Sequence, residues 1–118
     1  MSNENAGNDV VNITELKEIM DDDMELIQDC FADFIKDWPD SYIEINGAVL
    51  DKDAQKLDAA AHKLKGTLRY LAAEKAADAA YALEAAGKEN DMEGVESKLV
   101  TLKSECEKLV AYIHNFNQ

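Results

Sequence analysis

Hydrophobic positions recur along this chain at intervals of three and four residues, and no segment carries the period of two that marks a half-buried strand. Leu16, Ile19 and Met20 form the buried side of a short first helix, which Thr14 can cap. Asp21, Asp22 and Asp23 offer N-caps for the next helix, where acids suit the positive end of the helix dipole. That helix carries a wide apolar stripe of Leu26, Ile27, Cys30, Phe31, Phe34, Ile35 and Trp38. Pro39 interrupts it, yet the pattern resumes in phase through Tyr42, Ile45, Val49 and Leu50, which favours one kinked helix over two.

Asp51-Lys52-Asp53 reads as a turn, with Asp53 capping a third helix over about 54–70 whose core positions are Leu57, Ala61, Leu64, Leu68 and Leu71. A break near Ala72-Ala73 leads to an alanine-rich fourth helix over about 74–86, with Ala76, Ala80 and Leu83 inward. Gly87 fits as its C′ residue, and Lys88 complements its negative end. After Asn90-Asp91, a last helix carries Val95, Leu99, Leu102, Cys106, Leu109, Ile113 and Phe116, the seam of a bundle. The prediction is an all-α fold: an antiparallel up-and-down four-helix bundle with a short additional N-terminal helix. Residues 1–12 are polar and aperiodic and are expected to form a disordered tail, with a single domain over 13–118. A bundle of this length can bury its own seams, so a monomer is expected.

Charge narrows the possible partners. With 25 acids against 12 bases the formal net charge is −13, which repels phosphate backbones and anionic lipid, so neither nucleic acid nor membrane is an expected partner. No apolar run is long enough to span a bilayer, and the N-terminus lacks a basic and an apolar leader region, which points to the cytoplasm. Cys30 and Cys106 lie far apart in apolar faces and read as buried, reduced thiols. His62 and His114 are the chain's two histidines and form no close ligand pair, so no metal site is expected.

His62 stands apart from the core set of the third helix. It shares another side with Ala59, Gly66 and Arg69, flanked by Lys63 and Lys65. A helix-interior glycine costs roughly 1 kcal/mol relative to alanine, and at Gly66 it leaves backbone bare beside the imidazole, open to another protein. Lys65, one turn beyond His62, can reach the same space, and a cation there suits a phosphoryl group in transfer. If the chain reverses at Ala73, His62 and Glu84 are equidistant from the turn and lie level in an antiparallel pair. Glu84 could then accept from Nδ1–H, fix the tautomer and leave Nε2 as a nucleophile. His114, beside Asn115 and Asn117, lacks such surroundings and reads as an ordinary side chain near a helix end.

These residues resemble the histidine phosphotransfer (HPt) family of multistep two-component phosphorelays. Ala61-His62-Lys63-Leu64-Lys65-Gly66 matches its A-H-x-L-K-G signature, and Leu83-Glu84 followed by Gly87 matches its L-E-x-x-G segment. The likeness runs from about Ile13 to the end of the chain. It implies a phosphoryl carrier rather than an enzyme: His62 takes phosphate from a receiver's phospho-aspartate, or from a histidine kinase such as a hybrid kinase, and passes it to another response-regulator receiver. It also implies that Lys65 stabilises the phosphoryl oxygens, Glu84 orients the ring and Gly66 gives access, with Ala59, Lys63, Arg69, Leu16 and Ile19 on the docking side. No cofactor is implied on this chain, because the Mg²⁺ of the reaction belongs to the receiver. The competing reading is a degenerate HPt-like adaptor that binds receivers without carrying phosphate. Arg69, Tyr70 and Ala72 depart from the family pattern, which has small residues after the motif and a glycine at the helix end.

Overall fold

The computed structural model describes residues 10–116. It is all-helical, with no strand among the described residues, and the helices run as α1 (Ile13–Ile19), α2 (Met24–Leu50), α3 (Ala54–Tyr70), α4 (Glu74–Lys88) and α5 (Val95–Phe116). The most extensive contact is between α3 and α4; α4 also packs on α5, and α2 packs on both α3 and α5. Ile27, Phe31, Ile45, Leu57, Leu68, Leu83, Leu102 and Leu109 fill the shared interior. Phe31 meets the rings of Tyr112 and Phe116 edge-on, tying the front of α2 to the end of α5.

The helix junctions are built alike. Asp21, Lys52, Ala72 and Asn90 take φ of 54, 53, 56 and 54°, and the N–H groups that follow them, of Asp22, Asp53, Ala73 and Asp91, reach back to Lys17 O at 2.8 Å and to Ala48 O, Leu68 O and Ala86 O at 2.9 Å. This is the Schellman closure, which satisfies the last carbonyls of a helix and turns the chain sharply. The next helix starts at once: Asp23 Oδ1 accepts from Leu26 N–H and Asp53 Oδ1 from Lys56 N–H. Short junctions of this kind lay consecutive helices side by side. Ala73 makes no such side-chain cap for α4.

Several expectations need correction. The predicted tail lies outside the described residues up to position 9, but its last residues belong to the fold. Val11 is fully buried, and Asn12 N–H donates to Ala72 O at 2.9 Å. Asn12 rather than Thr14 caps α1, accepting from Glu15 N–H. Ile19, Leu26 and Leu50, counted among apolar stripes, are exposed, because each stripe is wider than the face its helix buries. By contrast, the single helix expected across Pro39 is observed, α2 running on through it; the missing N–H leaves one carbonyl of the preceding turn without a helical partner. Of the two free cysteines, Cys106 is buried, and burial, then Glu105 and Glu107, push its thiol up to about 12. Cys30 is only half-buried. Gly87 is not a C′ residue: α4 continues through it to Lys88, and the left-handed position falls on Asn90.

Candidate functional site

The leucines of α3 bury one face and leave His62, Lys63, Gly66 and Arg69 on the other. The imidazole is 66% exposed, and its Nδ1 lies 2.8 Å from Glu84 Oε2 across the α3–α4 seam. The second carboxylate oxygen, Oε1, is 2.7 Å from Lys65 Nζ. Lys88, one turn beyond Glu84, places Nζ 3.5 Å from Oε2. Lys65 is further held by the ring of Tyr81, with Nζ 5.2 Å from the centroid, an attraction between the ammonium and the negative face of the ring.

Glu84 is 1% exposed, the sole charged residue in the buried set among the described residues. Burial pushes its carboxyl pKa up, but Lys65 and His62 outweigh that and hold it at about 2. It is therefore an anion at any physiological pH. An ionised carboxylate can only accept, so in the neutral ring the proton resides on Nδ1 and donates to Glu84. Nε2 then keeps its lone pair. The arrangement pairs an oriented nitrogen nucleophile with a nearby ammonium, on a ring that water and larger partners can reach.

His62, Lys65 and Glu84, singled out in the sequence, thus meet at one place. Ala59, Lys63, Gly66 and Arg69 are exposed along the outer face of α3, and a Cβ built on Gly66 would meet nothing within 4 Å. Ile19 is 40% exposed, but Leu16 is 0% exposed, so Leu16 cannot present its side chain to a partner and serves to anchor α1. His114 is exposed near the end of α5. Among the described residues no group of three or more His, Cys, Asp or Glu side chains could hold a metal ion, and no helix is long and apolar enough to cross a membrane. Tyr81, whose ring lies against Lys65, escaped the sequence reading. The antiparallel level that pairs His62 with Glu84 also pairs Lys65 with Tyr81, so the signal for the tyrosine was there.

Residues 14–112 match the family model described as Hpt domain. The chain belongs to the Hpt domain family. No curated protein and no solved structure matches it. Hpt domains are helical-bundle modules of phosphorelays that act with receiver domains and histidine kinases, and their activity is histidine phosphotransfer within signalling rather than enzymatic turnover. The A-H-x-L-K-G and L-E-x-x-G segments of this Hpt domain are the two stretches whose side chains meet across α3 and α4. Ala72, standing where an Hpt domain is expected to have glycine, adopts φ of 56°, so the turn is formed despite the methyl group.

Proposed function

We propose that His62 is the phosphoryl acceptor of this Hpt domain, charged by the phospho-aspartate of a receiver, or by a histidine kinase, and discharged to a second receiver. The Nε2 lone pair attacks phosphorus, the P–O bond to the aspartyl carboxylate breaks, and the carboxylate leaves with the bonding electrons. The N–P bond forms with no proton lost from the attacking nitrogen. The ring, still protonated at Nδ1, gains positive charge as the bond forms, and the ionised Glu84 balances it. Lys65 faces the charge on the phosphoryl oxygens, where positioned cations lower the barrier most. Mg²⁺ is held by the receiver, and this chain needs no cofactor of its own.

Helices α2 to α5 form an antiparallel up-and-down bundle in this reading, with α1 as an added cover. The protein acts as a cytoplasmic monomer, and partners dock over Ala59, Lys63, Gly66, Arg69 and Ile19. The observation that carries the reading is the 2.8 Å contact between His62 Nδ1 and Glu84, made while the ring remains open to solvent.

The test mixes the protein with receivers pre-phosphorylated on aspartate, using a broad panel, and follows label on the Hpt chain. The expected result is acid-labile, alkali-stable label that is absent from His62→Gln. Label that survives in His62→Gln, or that never appears with any receiver although binding occurs, replaces the carrier with the adaptor reading. His62→Gln should keep its fold, with a loss of stability of at most about 1.5 kcal/mol, because the exposed side chain gives up one hydrogen bond to the buried Glu84.

A further inference from the structure

Helices α3 and α4 meet in three successive rungs. Gly87 lies against Asp58, Glu84 against His62, and Tyr81 against Lys65. Neighbouring rungs are three or four residues apart on each helix, so all three lie on the facing sides of the same antiparallel pair. The middle rung is the site described above, and those on either side of it are chemically unlike one another.

At Gly87 backbone meets backbone. A Cβ there would lie 2.6 Å from Ala54 O, 2.7 Å from Asp58 N and 3.0 Å from Asp58 Cα. No flexible side chain could swing away, so the helices themselves would have to part. Gly87 has ordinary helical geometry and is not among the residues with positive φ; its missing Cβ matters for closeness rather than for conformation. At the other rung, the Tyr81 ring lies under the Lys65 ammonium while Glu84 holds that same ammonium from the side. Tyr81 is 52% exposed, so no demand of core packing accounts for it.

Resting on the phosphoryl-carrier reading, we infer that Gly87 and Tyr81 are positioning residues for His62 phosphorylation. Gly87 sets the helix separation at which Glu84 reaches Nδ1, and Tyr81 keeps Lys65 beside the ring. Neither touches the phosphoryl group. A carboxylate moved away from Nδ1 no longer fixes the tautomer, and nitrogen that carries a proton at Nε2 cannot attack.

Two readouts test this without any partner protein. The first is the nitrogen-15 chemical shifts of the His62 ring, which report the tautomer. The second is the rate of labelling by potassium phosphoramidate, a small phosphodonor that needs no docking surface. Gly87→Ala should shift the ring away from the Nδ1–H tautomer and slow labelling about tenfold or more, since a misplacement of about 1 Å can cost about a hundredfold. Tyr81→Leu should slow labelling severalfold, and Tyr81→Phe, which keeps an aromatic face, should restore it. A folded Gly87→Ala protein with unchanged tautomer and labelling overturns the inference. If Gly87→Ala does not fold, the tyrosine pair decides: unchanged labelling in Tyr81→Leu, or no recovery in Tyr81→Phe, overturns it. Wild-type protein that phosphoramidate never labels at His62 sinks the carrier reading instead, while the tautomer in Gly87→Ala still reports on the spacing.

Discussion

Lys65 Nζ stands 2.7 Å from Glu84 Oε1, so the cation proposed to meet a phosphoryl group is already paired with the carboxylate that contacts His62 Nδ1. Glu84 thereby couples stability to chemistry. It is 1% exposed, its charge is balanced by Lys65 and Lys88, and its Oε2 lies within hydrogen-bond distance of His62 Nδ1. Removing the anion leaves Lys65 facing a neutral group. Glu84→Gln keeps an acceptor for Nδ1–H but no charge, and should lower unfolding stability by about 2 kcal/mol. That is less than the full cost of breaking a buried pair, because Lys65 and Lys88 can turn toward water. Phosphotransfer should fall as well, since nothing then balances the cationic ring. Urea unfolding and a receiver transfer assay measure the two effects, and a variant as stable as wild type contradicts the buried-anion account.

The same carboxylate sets a pH dependence. Its folded-state pKa, about 2, is below the ordinary value of 4.5, so the folded protein releases this proton more readily than the unfolded chain does. Its contribution to stability is complete above about pH 4.5 and is lost as pH falls toward about 2. Glu74 works in the opposite sense. Burial, then the neighbouring Glu15, raises its pKa, so its ionisation costs stability above its own pKa and protonation relieves that cost. Urea midpoints between pH 6 and pH 2.5 should fall for wild type, and Glu84→Gln should show a shallower fall over that range. Parallel curves would show that Glu84 is not the responsible group.

Left-handed residues at the helix ends make a paired prediction. Lys52 is exposed with φ of 53°, whereas Ala72 has φ of 56° but is 0% exposed. An L-residue in this region costs about 1–2 kcal/mol, and glycine escapes the penalty. Lys52→Gly should therefore gain about 0.5–1 kcal/mol, a rise of roughly 2–4 °C in Tm. Ala72→Gly removes the same strain but also a buried methyl worth about 0.8 kcal/mol, so its net change should be near zero. Calorimetry on the two variants separates these outcomes, and an equal gain in both would mean that the Ala72 methyl contributes nothing to packing.

How far the sequence could be read follows from the physics of each residue. Asp53 and the leucines of α3 were legible because capping and burial both follow from local spacing. The level of His62 with Glu84 was legible because antiparallel helices of equal rise share a register. The burial of Glu84 was not. A carboxylate within an alanine-rich segment looks solvated, and only the cations converging on it from α3 and from Lys88 make its burial tolerable. Gly87 was misread for a similar reason: near a helix end glycine suits a C′ position, and the clash with Ala54 and Asp58 involves backbone that carries no sequence signal. The short α1 was placed correctly but capped wrongly, because Asn12 and Thr14 both suit an N-cap and its spacing is too short to choose between them.

Gly66 offers the sharpest separation between folding and function. It lies inside α3, is exposed, and a Cβ built there would meet nothing within 4 Å. Among the described residues no packing reason for glycine exists, and alanine is the better helix former by about 1 kcal/mol. Gly66→Ala should therefore be more stable than wild type by about that amount, and a larger residue such as Gly66→Gln by somewhat less. The cost should appear only when another protein approaches. Transfer from a phospho-receiver should slow with side-chain size at position 66, while labelling by phosphoramidate stays near the wild-type rate because a small donor needs no bare backbone. Equal transfer rates from the receiver across the glycine, alanine and glutamine forms would remove access as the reason for the glycine.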